Sequence, residues 1–146
     1  MSFGLRTAAA AAAATAMLVV PATTAAAGES TGRCSADSYR AEFTLWYTTK
    51  GAYDYPDEYT WYIYTPRGEI TYKNNVQARV NSVNTGGTDP IHHTWISADN
   101  IRSGGDEQAI DGVRVSRTKS MYGAFEFVFD RPDDSDPRCT GRTTSV

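Results

Sequence analysis

The chain has 146 residues, with 17 acidic against 14 basic side chains and a net charge of −3. A mildly acidic chain without a basic tract argues against nucleic-acid and anionic-membrane partners. Two cysteines and two histidines leave little material for a metal centre, and no cofactor motif is present, so neither a metal nor a cofactor is expected.

Residues 1–27 read as a secretory signal peptide. A lone Arg6 precedes an alanine-rich run, the apolar Met17-Leu18-Val19-Val20, and Ala25-Ala26-Ala27. A positive start, a short apolar stretch and an Ala-x-Ala end are its parts. Cleavage is expected after Ala27, with Ala22 as the alternative. The apolar stretch is shorter than the roughly 20 residues of a membrane span. The expected mature part, residues 28–146, has 119 residues and reads as one secreted domain with no membrane segment. Export places Cys34 and Cys139 in an oxidising compartment, where a disulfide between them is expected.

From Tyr39 to Thr48 the chain alternates, with Tyr39, Ala41, Phe43, Leu45 and Tyr47 on one side, the period of a half-buried strand. The segment Trp46–Tyr72 holds nine of the chain's 17 aromatic residues. Within it, Tyr59–Thr65 is wholly aromatic or β-branched. Thr65-Pro66-Arg67-Gly68 then reads as a three-residue hairpin loop leading into a second strand, Glu69–Lys73. That register turns Tyr62, Tyr64, Ile70 and Tyr72 inward and Tyr59, Trp61 and Ile63 outward. With Thr49–Glu58 as a connecting loop, Trp46 falls opposite Trp61 on the outer face.

Val76–Val83 is a further strand with Val76, Ala78 and Val80 inward, and Ile91–Ser97 is another that carries His92 and His93. Ala98–Asp111 reads as a long polar loop around Gly104-Gly105, with Ile101, Arg102, Ser103 and Asp106 as its contact residues. Gly112–Thr118 and Ala124–Asp130 are strands. The second turns Phe125, Phe127 and Phe129 to the core, and the tail is expected to fray after Cys139. Seven to eight short strands without a helical period specify an all-β domain, an antiparallel Ig-like or jelly-roll-like sandwich, with a small barrel as the alternative.

Adjacent strand histidines point to opposite faces, and no zinc-ligand spacing or Gly-x-Ser-x-Gly elbow exists. The acids Asp54, Asp57 and Glu58, and Asp133, Asp134 and Asp136, read as solvated turns. Arg114, Arg117 and Lys119 read as solvated surface charge. The expected function is therefore a non-enzymatic binding domain. Trp46, Tyr59 and Trp61 would form an exposed platform beside Tyr53 and Tyr55, for a polysaccharide or an extracellular protein. The alternative is a protease-inhibitor-like or other interaction domain acting through Ala98–Asp111. A second alternative is a small hydrolase.

Overall fold

A computed structural model describes residues 24–132 and 134–146; most of the expected leader, and Asp133, lie outside the described residues. Among the described residues nine strands form two antiparallel sheets packed as a small β-sandwich. They are β1 (Ala26–Ala36), β2 (Tyr39–Lys50), β3 (Tyr53–Tyr64), β4 (Asn75–Ser82), β5 (Ile91–Ile96), β6 (Gly104–Ala109), β7 (Val115–Ser116), β8 (Met121–Val128) and β9 (Arg138–Arg142). One sheet runs β1-β2-β3-β6, with β7 also on β3, and the other runs β5-β4-β8-β9. Strand β1 begins at Ala26, inside the segment expected to be removed, whereas cleavage after Ala22 would leave it whole.

The period-two readings hold. Ala41, Phe43 and Leu45 of β2, Val76, Ala78 and Val80 of β4, and Phe125 and Phe127 of β8 with Phe129 beyond it are buried between the sheets. Phe43 stacks on Phe125 across the sandwich, ring centroids 4.7 Å apart. Cys34 of β1 and Cys139 of β9 form the expected disulfide, closing one side. There the strands approach closely: a Cβ added to Gly32 would overlap the Arg142 carbonyl group, so glycine is required. The tail does not fray. Thr144 N–H donates to the Thr31 carbonyl at 3.3 Å, and Val146 and Met121 exchange backbone hydrogen bonds at 2.9 and 2.8 Å.

The register of β2 and β3 differs from the expected one. Phe43 pairs with Trp61, Leu45 with Tyr59 and Trp46 with Glu58, a slip of three residues from the expected pairing of Trp46 with Trp61. The cause is the turn. The chain reverses through Gly51-Ala52, with Lys50 opposite Tyr53 and Gly51 at φ 60°, the glycine-first two-residue hairpin. Thr49–Glu58 is therefore mostly strand, not loop. Asp57 is the extra residue of a bulge beside Pro56, whose missing N–H suits that irregularity. An odd slip exchanges the faces of a strand. Tyr59, Trp61 and Ile63 are consequently buried, and Tyr62 and Tyr64 face outward.

The expected hairpin at Thr65–Gly68 is absent. Pro66–Gly68 form a single 3-10 turn with both Arg67 and Gly68 at positive φ, and Glu69–Lys73 does not pair with β3. Asn74, wholly buried, redirects the chain to the other sheet. Its Nδ2 donates to Thr71 Oγ1 at 2.7 Å and to the Ile101 carbonyl at 2.8 Å, and its Oδ1 accepts from Asp130 N–H at 2.9 Å. Each buried polar atom of that side chain is thus paired, as burial demands. Ala98–Asp111 is likewise no free loop: Gly104–Ala109 pairs with Ile63–Glu58 as β6, and only Val115–Ser116 of the expected strand after it is regular.

Candidate functional site

The outer face of the five-stranded sheet collects the exposed aromatic residues. Alternate residues of a strand share a face, so Tyr53, Tyr55, Glu58, Thr60, Tyr62 and Tyr64 of β3 look outward, given that Asp54, Pro56, Tyr59, Trp61 and Ile63 are buried. Strand β2 adds Trp46 opposite Glu58, Thr44 opposite Thr60 and Glu42 opposite Tyr62. Trp46 and Tyr62 are 40% and 47% exposed, a degree that leaves their rings open to a ligand.

These rings are held. The Trp46 indole N–H donates to Thr60 Oγ1 on the next strand at 2.9 Å, which orients the ring across the sheet. Tyr62 and Tyr64 pack with centroids 4.5 Å apart, and the Arg40 guanidinium lies 4.2 Å from the Tyr64 ring centre. At the other end Tyr53 and Tyr55 meet edge to face at 6.4 Å, with Arg114 4.6 Å from the Tyr53 ring centre. Such cation–π contacts attract a guanidinium to a ring face by about 0.5–1 kcal/mol at exposed sites. Arg114, expected as plain surface charge, thus belongs to the aromatic face.

Between the rings lie polar rungs. Thr31, Thr44, Thr60 and Glu107 stand side by side across four strands, with Thr31 and Thr44 hydroxyls 3.1 Å apart. Arg33 Nε donates to Glu42 Oε2 at 2.9 Å on the rung of Tyr62. Thr48 donates to Asp57 at 2.7 Å near Tyr55. The strip enters concave ground at both ends. A cleft of about 480 Å³ opens between Tyr62, Tyr64, Ile70 and Arg102, and one of about 400 Å³ between Tyr55, Asp57, Ile110 and Arg114.

The structure therefore keeps three of the five expected platform residues, Trp46, Tyr53 and Tyr55, on one face. It removes Tyr59 and Trp61, at 0% and 4% exposure, to the core. Trp61 stacks on Trp95 at 5.4 Å rather than beside Trp46. Tyr62 and Tyr64 take their place. Gly51 after Lys50, the first position of a two-residue turn, was the sequence signal that would have found them.

Of the expected contact residues in Ala98–Asp111, Ile101 is buried and exchanges two backbone hydrogen bonds of 3.1 Å with Asn74. Ser103 is fastened to Thr71, whose N–H donates to Ser103 Oγ at 3.0 Å. Arg102 is exposed beside the larger cleft, and Asp106 is exposed on β6.

His92 and His93 are apart in role. His92 Nε2 lies 2.9 Å from the Oγ of buried Ser82, and burial, with Lys119 nearby, lowers its pKa. His93 Nδ1 lies 3.0 Å from the Tyr59 hydroxyl between the sheets, where burial raises the phenol well above its ordinary range. Asp134 and Asp136 hold Arg131, at 3.0 Å to the guanidinium and 3.0 Å to the backbone N–H. Among the described residues no group of three His, Cys, Asp or Glu side chains is placed to hold a metal ion. No helix there is long and apolar enough to cross a membrane.

No protein-family model, curated protein or solved structure matches the chain.

Proposed function

We propose that this is an extracellular, non-enzymatic binding domain that holds a polysaccharide chain along the outer face of its five-stranded sheet. The observation that carries the reading is the spacing of Tyr53, Tyr55, Trp46, Tyr62 and Tyr64 along that face, with threonine and carboxylate rungs between them. A sugar ring offers an apolar face for stacking and hydroxyls at its rim, so it needs ring platforms and hydrogen-bonding groups side by side. A protein interface instead concentrates apolar residues in a dry centre with polar groups outside. Here the polar rung of Thr44 and Thr60 lies in the middle of the strip. The Cys34–Cys139 disulfide is compatible with an extracellular site of action.

The test is depletion of the protein from solution by insoluble cellulose, chitin, xylan and starch, followed by the same assay with Trp46→Ala and Tyr62→Ala. Binding to one of these polymers, weakened by both substitutions and not by Tyr59→Phe, is the expected result. Absence of binding to all four, or equal binding by both variants, would remove the reading. An extracellular protein is the second reading, favoured by the guanidinium–tyrosine pairs Arg40–Tyr64 and Arg114–Tyr53, since Tyr and Arg are enriched where proteins bind.

A further inference from the structure

The two sheets do not end together on the side opposite the disulfide. Strand β5 closes the four-stranded sheet, and its inward residues reach β3: Trp95 stacks on Trp61, and His93 meets Tyr59. Strand β6 lies one strand further out, hydrogen-bonded to β3 beyond the line that β5 covers. Opposite Trp61 and Tyr59, both of which point inward, β6 presents Asp106 and Gln108. These two inward positions would be apolar if a strand lay beneath them. They are polar, and Asp106 is exposed. The sandwich is thus one strand short on this flank, with a slot bounded by the free edge of β5 and the overhang of β6.

Among the described residues, none pairs with the outer edge of β5. Edge strands are ordinarily protected by charges, prolines or a covering element. Ile91–Ile96 contains no charged residue and no proline, and Ile91 and Ile96 are 55% and 65% exposed. Strands β1 and β9 close on each other through the disulfide, and β6 carries Asp106 and Glu107. The carboxylate of Asp106 takes a hydrogen bond from Glu107 N–H at 2.9 Å and has no cationic partner among the described residues.

We propose that this slot takes one extended segment of another protein, which adds to the edge of β5 by backbone pairing beneath β6. The chemistry of the slot sets the segment's pattern. Its side chains alternate between the two faces. Those facing β6 meet Asp106 and Gln108 and are basic or polar, with lysine or arginine at Asp106. Those on the outer face lie beside Ile96 and Ile91 and are apolar. Backbone pairing supplies affinity and the alternating side chains supply selectivity, the logic of strand addition. A second copy of this domain does not fit. A continuous sheet made by two β5 strands would carry the other copy's five-stranded sheet into the space that β6 occupies. The slot faces away from the aromatic strip, so this inference is independent of the polysaccharide reading.

The test uses the intact protein and a short synthetic peptide alternating valine and lysine. Binding is read by perturbation of backbone amide resonances and by amide exchange. The expected result is protection of amides in His92–Ile96 and shifts at Trp95, Asp106 and Gln108. Asp106→Asn should weaken binding about fivefold, the upper end for an exposed ion pair. A peptide with alternate backbone nitrogens methylated should not bind, and one with glutamate in place of lysine should bind at least about fivefold more weakly. Trp46→Ala should leave peptide binding unchanged, which separates this site from the proposed polysaccharide face. The proposal is overturned by no binding at millimolar peptide, by equal binding of the methylated peptide, or by shifts confined to the Trp46–Tyr62 face. It is also overturned if Thr94→Cys yields a disulfide-linked dimer, which would place a second copy on β5.

Discussion

Trp46 and Trp61 sit on neighbouring strands and on opposite faces, so truncating each tests the register directly. Trp61 is 4% exposed and stacked on Trp95 at 5.4 Å. Trp61→Ala removes a buried aromatic ring, and such truncations cost about 3–5 kcal/mol. Its indole N–H is buried without a hydrogen-bond partner among the described residues. Leaving a buried polar group unpaired costs about 1–3 kcal/mol, so Trp61→Phe, which removes that group and keeps a ring, should cost less than about 1.5 kcal/mol. Trp46 is 40% exposed and makes one hydrogen bond, to Thr60. Trp46→Ala loses that bond, about 0.5–1.5 kcal/mol, and a cross-strand contact of about 0.2–1 kcal/mol. Urea unfolding followed by far-ultraviolet circular dichroism reads all three variants without relying on the residues altered. In the folded protein, acrylamide should quench emission lost in Trp46→Ala far more than emission lost in Trp61→Ala. The reasoning fails if Trp61→Ala costs no more than Trp46→Ala, since the truncation of a buried ring must cost more than that of an exposed one.

Three further outcomes are expected. Gly32→Ala should destabilise the domain by about 1–3 kcal/mol, because its Cβ meets the Arg142 backbone as well as the buried Phe125 ring; an unchanged thermal midpoint would show that β1 and β9 do not approach as closely as described. Joint replacement of Cys34 and Cys139 by alanine should cost up to about 4–5 kcal/mol, the chain-entropy value for a closed loop of this length, and intact mass after alkylation without reductant should reveal no thiol in the unaltered protein. Asp89 is held below its ordinary range first by the Tyr122 hydroxyl at 2.7 Å and then by the Asn84 N–H. Its folded pKa is lowered, so its contribution is present above about pH 4, the ordinary aspartate range, and is lost as pH falls through the folded value. Tyr122→Phe should raise the Asp89 pKa measured by carboxyl NMR titration; an unmoved titration would deny the hydrogen bond.

What could be read in advance follows from where one face of a strand differs from the other. Phe125, Phe127 and Phe129 alternate with Glu126 and Val128, and Val76, Ala78 and Val80 with Gln77 and Arg79, because one side of each strand is core and the other solvent. The disulfide followed from two cysteines and an expected export signal. Strand β6 was not legible as a strand. Its sequence, Gly-Gly-Asp-Glu-Gln-Ala, shows no alternation, since one face is solvent and the other hangs past the opposite sheet. Only its backbone pairing with β3 makes it a strand, and composition does not record backbone pairing. The tail after Cys139 is polar for a related reason. Ser30 bonds to the Thr144 carbonyl, and Thr143 Oγ1 accepts from Gly123 N–H at 2.9 Å, so polar contacts rather than apolar burial hold it.

Strand β3 differs from both, because it carries large residues on each of its faces. Tyr59, Trp61 and Ile63 alternate with Thr60, Tyr62 and Tyr64, so hydrophobic pattern alone gives no preference between the two orientations, and the turn decides. A turn at Thr65–Gly68 sends Trp61 outward, and a turn at Gly51-Ala52 sends it inward. Either orientation leaves aromatic rings on the solvent side. The expectation of an aromatic surface was therefore insensitive to the error in register, while the residues that make it were not. Trp46, Tyr53 and Tyr55 belong to the outer surface in the expected and the observed arrangements alike. Tyr62 belongs to it only in the observed one, where it is 47% exposed, and Trp61 only in the other. Loss of polysaccharide binding on Tyr62→Ala with the fold intact, set against loss of the fold on Trp61→Ala, is thus the comparison that would tie the proposed binding face to this register and to no other.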